Sequence, residues 1–435
     1  MTHKHHIIPV YHCKELGIDP DFDDNFVEVT RLQHANIHWG YWCKDLSALL
    51  EVCSPPQWVI DMLESGRETF YQVQNGSKTY WCPIKKNAIT IKNKSNTFNI
   101  ALHKTAGNTI KRDLSASLND MGDGILNVEF HSILQPTLHP IDSSYIEMIN
   151  LAIDLIEKGD YKAMVLGHQG ANFCAGANLA NMIQTIESGA WDQMDSAIKQ
   201  IQDLLQRIRF SKAPVVAAPH HLTLGGGFEL VAPTAHRVAL GELYIGAVEV
   251  GVGLIPGAGG NLRMLLNLME NSGAGRMNSF QVAQKAFETI GFAKVATSAD
   301  EAKFLGYLLK SDTIILNNDQ RIWTAKQKAL ELINDNYQPP EYRNDLKLPG
   351  AGGRTAMAMA LKGFKAQGKI SAHDELIAKK LAFVLTGGEQ AGLTKSVEEQ
   401  YLLDIEREAF VSLAGEALTQ DRIRYMLKVG KPLRN

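Results

Sequence analysis

From Gly124 onward the apolar positions of the chain switch repeatedly between two periods. GILNVEF (124–130), KAMVLGHQG (162–170) and APVVAAP (213–219) are short, nearly continuous apolar runs, the pattern of buried strands. Between them, SSYIEMINLAIDLIEKGD (143–160) places Tyr145, Ile149, Ala152, Ile153 and Ile156 on one helical face. MDSAIKQIQDLLQRIRF (194–210) repeats that helical period. Strands separated by helical patterns predict an α/β domain with parallel pairing, set at residues 121–335. Residues 1–120 mix strand-like and helix-like segments and read as an α+β extension. Within it FYQVQNGSKTYWCP alternates around Asn75-Gly76, predicting a hairpin over 70–82 with a two-residue turn. WVIDMLESG reads as a short helix stopped at Gly66, and the first 55 residues give no assignable pattern. Residues 336–435 read as a linker, NYQPPEYRNDLKLPGAGGR, followed by helices. One of these helices opens at Ser371 as N-cap, with Asp374 at the capping-box position, and stops at Gly387-Gly388.

Composition narrows the classes. Of 435 residues, 45% are apolar and 21% charged, ordinary for a globular protein. No window approaches the roughly 18 consecutive apolar residues of a membrane span, and the opening MTHKHHIIPVYHCKELG lacks the form of a secretory signal. Five cysteines without a CxxC pair predict reduced thiols in a cytoplasmic protein, with no metal site. A net charge of −3 gives no reason to expect nucleic acid. The cluster His3-Lys4-His5-His6 reads as a frayed terminus in preference to a metal ligand set.

The pentapeptide PGAGG occurs twice, at 256–260 and 349–353. The second copy joins a linker to a helix and has no acidic or nucleophilic neighbour. The first ends one of three segments in which an apolar strand runs into a turn of small residues. Gly225-Gly226-Gly227 permits close backbone approach to a ligand, and Ala175-Gly176-Ala177 ends the preceding unit in the same way. Side by side across parallel units, these turns can aim two N–H groups at one oxygen, as an oxyanion hole does. Glu229 and Glu249 lie next to them in apolar company. Singly, each is as readily a helix-surface or loop-capping glutamate. Together, beside two such turns, they suit a general acid/base pair.

FCAGANLANM, LGGGFEL and VEVGVGLIPGAGGNLRML resemble, in order and spacing, the signatures of the enoyl-CoA hydratase/isomerase (crotonase) family over roughly residues 122–265. The resemblance implies a crotonase-like spiral of ββα units and an acyl-CoA thioester substrate, with coenzyme A as part of the substrate and no further cofactor. It implies Ala177 and Gly226 as oxyanion-hole amides, and Glu229 and Glu249 as catalytic acids, with Glu249 the proton donor to C2. Ala175, Gly176, Gly225 and Gly257 are implied as substrate-binding positions, the amides from Gly257 onward facing water and thioester. Three departures from the pattern are Asn178 for the usual Asp, Val248 for the usual Pro, and HSILQPTLHPID at the entrance to the CoA groove.

More widely, residues from about 26 onward, through SASLNDMGDGILNVEFHS to the closing GKPLRN, resemble the C-terminal part of bacterial 3-hydroxyacyl-CoA dehydrogenases fused to a hydratase. No strand followed by GxGxxG stands near the N-terminus, so no hydride transfer is expected from this chain alone. Residues 30–66 read as a remnant of the dehydrogenase's helical end. The function implied is trans-2-enoyl-CoA hydration in fatty-acid β-oxidation. The alternatives are an enoyl-CoA isomerase, or a non-catalytic acyl-CoA-binding partner of a separate dehydrogenase. Family habit implies a homo-oligomer, commonly a trimer.

Overall fold

The computed structural model describes residues 96–435 except 274–276 and 393, and before them five strands and scattered single positions. It divides into two compact units, residues 1–95 and 96–435. In the first, β1 (Thr2–His6) pairs antiparallel with β2 (Phe26–Thr30), so the histidine-rich start is a strand, not the frayed end its polarity suggested. β3 (Tyr71–Gln74), β4 (Ser77–Cys82) and β5 (Asn87–Ile91) form an antiparallel sheet. Gln74 stands opposite Ser77, leaving two residues for the turn, as the hairpin reading requires. The helix expected at 58–66 falls largely outside the described residues.

The second unit is built on β6 (Thr109–Arg112), β7 (Ala116–Asp120), β8 (Ile125–Phe130), β9 (Ala163–Leu166), β10 (Val215–Ala217), β11 (His221–Leu224), β12 (His236–Leu240), β13 (Leu243–Gly246) and β14 (Thr313–Ile315). Seven of these form one sheet in the order β14-β12-β10-β9-β8-β7-β6. β6, β7 and β8 run antiparallel, and β8, β9, β10, β12 and β14 run parallel. Successive side chains of a strand point to opposite faces, which splits the apolar runs between two cores. Leu126, Val128, Met164, Leu166, Val215 and Ala217 enter one; Ile125, Ala163, Val165 and Val216 enter the other, against Ile322, Ala325 and Ala329 of helix Asn318–Asn334. Burial on both faces explains why these strands read as continuous apolar runs.

A second, smaller layer stands beyond the sheet. After β8 the chain makes a parallel bridge, Ile141 to Ala177, before helix Ser143–Glu157. After β9, Cys174 bridges Thr223 before helix Leu179–Glu187. After β10, β11 pairs with β13 before helix Gly226–Val231. Strand, short second strand and helix recur as a spiral of ββα units, the fold class expected. Its second layer is where the small-residue turns meet.

The C-terminal helices behave locally as read. Ser371 caps helix Ala372–Leu385 with both capping-box bonds to Asp374, and Gly387 and Gly388 follow its end at φ +83° and +59°. They also pack on the α/β body, because helix Glu399–Ala414 carries Glu399 to an ion pair with Arg263 at 3.1 Å. Both side chains are buried, so each would be an uncompensated charge without the other.

Candidate active site

The turns after Cys174 and Leu224 touch. Gly176 and Gly225 have φ of +96° and +53°, positive values that glycine adopts without the strain a Cβ would bring. A Cβ on Gly176 would lie 3.0 Å from the Leu224 carbonyl oxygen and 3.2 Å from the Gly226 nitrogen. One on Gly226 would lie 3.7 Å from the Ala177 nitrogen. Neighbouring amides are already spent on the framework: Ile141 donates to Gly176 O, Leu224 to Cys174 O, and Gly225 to Gly246 O. The Gly226 amide opens its helix, ahead of the helical hydrogen-bond ladder. The segment 131–142 is tied to the same place, since the Ala175 amide donates to Leu138 O at 2.8 Å. Asn178 replaces a carboxylate without losing the cap, its Oδ1 accepting from the amides of Ala180 and Asn181.

Glu229 sits in the helix opened by Gly226 and is buried. Its Oε1 accepts from the amides of Ala258 at 2.8 Å and Gly260 at 2.9 Å. Burial pushes its pKa up to about 7, against the opposing pull of those amides. Glu249 begins the short 3-10 turn Glu249–Val252 after β13. Its Oε1 would be 3.0 Å from a Cβ on Gly225, and its Oε2 is buried with no partner among the described residues. Burial first, then the charge of Glu229, pushes its pKa up to about 8. Both carboxyls are thus held above the ordinary carboxylate range, by burial first.

The first PGAGG does not lend its amides to a ligand as expected. They are taken by two carboxylates. Ala258 and Gly260 donate to Glu229, while Gly259 donates to Glu406 Oε1 at 2.5 Å and Asn261 to Glu406 Oε2 at 3.1 Å. The left-handed residue of this loop is Gly259, at φ +112°, not Gly257. Gly257 is needed for another reason: a Cβ there would come within 2.6 Å of the Phe410 ring. Its carbonyl accepts from Gln202 Nε2 at 2.8 Å. Glu406, Phe410 and Gln202 come from helices distant in sequence and carry no local motif.

All eight expected site residues, Ala175, Gly176, Ala177, Gly225, Gly226, Glu229, Glu249 and Gly257, line one cavity of about 1120 Å³. Ile146, Ile149, Met194, Ile198, Ile201 and Leu205 give it an apolar wall, and Phe410, Met426 and Pro432 line it from the C-terminal region. An apolar cleft holding two carboxylates with raised pKa beside two close amides can stabilise a developing oxyanion and move protons next to it.

The enoyl-CoA hydratase/isomerase family model matches residues 135–318, the span holding both turns and both glutamates. The fold is thus a crotonase-like spiral of ββα units, and its segment 135–318 is similar to the enoyl-CoA hydratase/isomerase family. The chain is 42% identical over 380 residues to the "Probable 3-hydroxyacyl-CoA dehydrogenase" of Bacillus subtilis (strain 168), covering 87% of this chain and 46% of that protein. It is 26% identical over 286 residues to the "Peroxisomal fatty acid beta-oxidation multifunctional protein" of Oryza sativa subsp. japonica, covering 63% of this chain and 35% of that one. The alignments thus span less than half of these relatives' length. The crystal structure of enoyl-CoA hydratase from Bacillus halodurans aligns at 15% identity and TM-score 0.47, over 71% of this chain and 99% of that one.

Proposed function

We propose that the protein adds water across the C2–C3 double bond of a trans-2-enoyl-CoA. The observation that carries this reading is that Glu229 and Glu249 both line the cavity that also holds the paired turns of Ala177 and Gly226. The thioester oxygen sits between the two amides. Water attacks C3 and gives a proton to the Glu229 carboxylate, while the electron pair moves toward the thioester oxygen as an enolate. Glu249 then delivers its proton to C2. The proton gained by Glu229 balances the one lost by Glu249, and exchange with solvent resets the pair. The geometry supports this division: amides of Ala258 and Gly260 hold Glu229 Oε1 and favour its charged form, whereas Glu249 Oε2 has no partner among the described residues. Each oxyanion donor is worth about 2.7–4 kcal/mol of barrier.

Coenzyme A enters as the handle of the substrate, and no nicotinamide takes part. Crotonyl-CoA tests the reading through loss of its conjugated-thioester absorbance, with the product identified by mass as the 3-hydroxyacyl thioester. A cis-3-enoyl-CoA offered in parallel separates hydration from isomerisation. The account predicts hydration as the faster reaction. Isomerisation alone would reassign the site, and no reaction with either would leave the chain a non-catalytic binder.

A further inference from the structure

Four consecutive amides at the start of helix Gly260–Ser272 alternate between two buried carboxylates. Those of Ala258 and Gly260 go to Glu229, and those of Gly259 and Asn261 go to Glu406. Glu406 lies on helix Glu399–Ala414, outside residues 135–318, and is fully buried. Its neighbours hold the same loop. Gln202 Nε2 ties Gly257 O to Leu403 O, four residues away on the next turn of that helix from Arg407, which donates to Gln202 Oε1 at 2.9 Å. The charged groups around Glu406 are largely matched elsewhere. Arg263 pairs with Glu399, and Arg407 with Asp195 and Asp404. Glu406 is thus bound to the loop through backbone amides, next to a second carboxylate on the same loop.

We propose that Glu406 is a positioning residue for Glu229: it fixes the PGAGG loop by its alternate amides, and so fixes the amides that orient the Glu229 carboxylate. This rests on the hydratase reading. Burial first, then the charge of Glu229, raises the Glu406 pKa well above the ordinary value. The C-terminal helical region is then part of the working site and not an appendage to it.

The test is hydration of crotonyl-CoA by the full chain carrying Glu406→Ala or Glu406→Gln, each alone and with Glu229→Gln, at matched folded fraction. Glu406→Ala is expected to lower kcat about tenfold or more, with KM within about twofold. Glu406→Gln keeps one acceptor and is expected to recover part of that loss. In the Glu229→Gln background the same substitutions should change kcat less than about twofold, because their effect passes through the missing carboxylate. Equal losses in both backgrounds, or a Glu406→Ala kcat within about threefold of the parent, would overturn the proposal. If Glu406→Ala does not fold, the Glu406→Gln pair decides by the same criterion. Should the parent not hydrate any enoyl thioester, the functional reading fails, and amide hydrogen exchange judges the positioning by itself. Protection of the Ala258 and Gly260 amides should then fall about tenfold in Glu406→Gln, and unchanged protection overturns it.

Discussion

Glu249 works against the stability of the protein that holds it. Its carboxyl titrates near 4.5 when exposed and is pushed up to about 8 when folded. The unfolded chain therefore releases this proton earlier as pH rises. Below about pH 4.5 the group is protonated in both states and costs nothing; between there and about pH 8 folding grows steadily less favourable on its account. Glutamine keeps the shape and never ionises, so Glu249→Gln should be more stable than the parent at pH 8, by about 4 kcal/mol, and equal to it at pH 4. Thermal unfolding at the two pH values checks this. A variant less stable than the parent at pH 8 would mean that the Glu249 carboxylate has a partner that this geometry does not give it. Glu229, with the amides of Ala258 and Gly260 easing its charge, should show a smaller gain on the same substitution.

At the scale of elements, the two PGAGG loops show what local sequence can and cannot tell. The pentapeptides are identical, yet their glycines do different work. In the first, Gly259 takes the left-handed conformation and Gly257 faces Phe410; in the second, Gly350 takes it, at φ +60°, with the Ala391 carbonyl oxygen where a Cβ would go. Gly350→Ala should therefore cost about 1–3 kcal/mol in backbone strain, with more from the contact, while folded enzyme keeps its turnover number. Gly257→Ala should push Phe410 and shift the loop whose amides hold Glu229, lowering turnover about tenfold or more at matched folded fraction. Active-site titration alongside urea unfolding separates the two effects. Equal loss of turnover in both would place the second loop at the site as well.

The strands and helices from Gly124 to Arg209 were legible because apolar period and burial coincide: Tyr145, Ile149, Ala152, Ile153 and Ile156 are all buried where the helical face put them. The paired glutamates and glycine turns were legible because each stands where an apolar strand runs into a turn of small residues, and they meet in one cavity. Glu406 was not, because its partners Gly259 and Asn261 are about 145 residues away. A buried glutamate satisfied by backbone amides leaves no complementary side chain for a motif to record. The role expected for the loop amides failed for the same reason.

For the whole molecule, the C-terminal helices complete what the ββα spiral begins. Arg263 of the α/β body is buried against Glu399, and Phe410, Met426 and Pro432 line the cavity that holds Glu249. Together these make an apolar cleft that holds two buried carboxyls with raised pKa. The account stands on that cleft hydrating an enoyl thioester. Its most direct test is the initial rate of crotonyl-CoA hydration by Glu249→Gln against the parent, at pH 7.5 and equal folded concentration. Loss of the proton donor predicts a rate lower by about 10²–10⁴-fold with KM nearly unchanged. A rate within about threefold of the parent would contradict it, because the proton reaching C2 would then come from some other group.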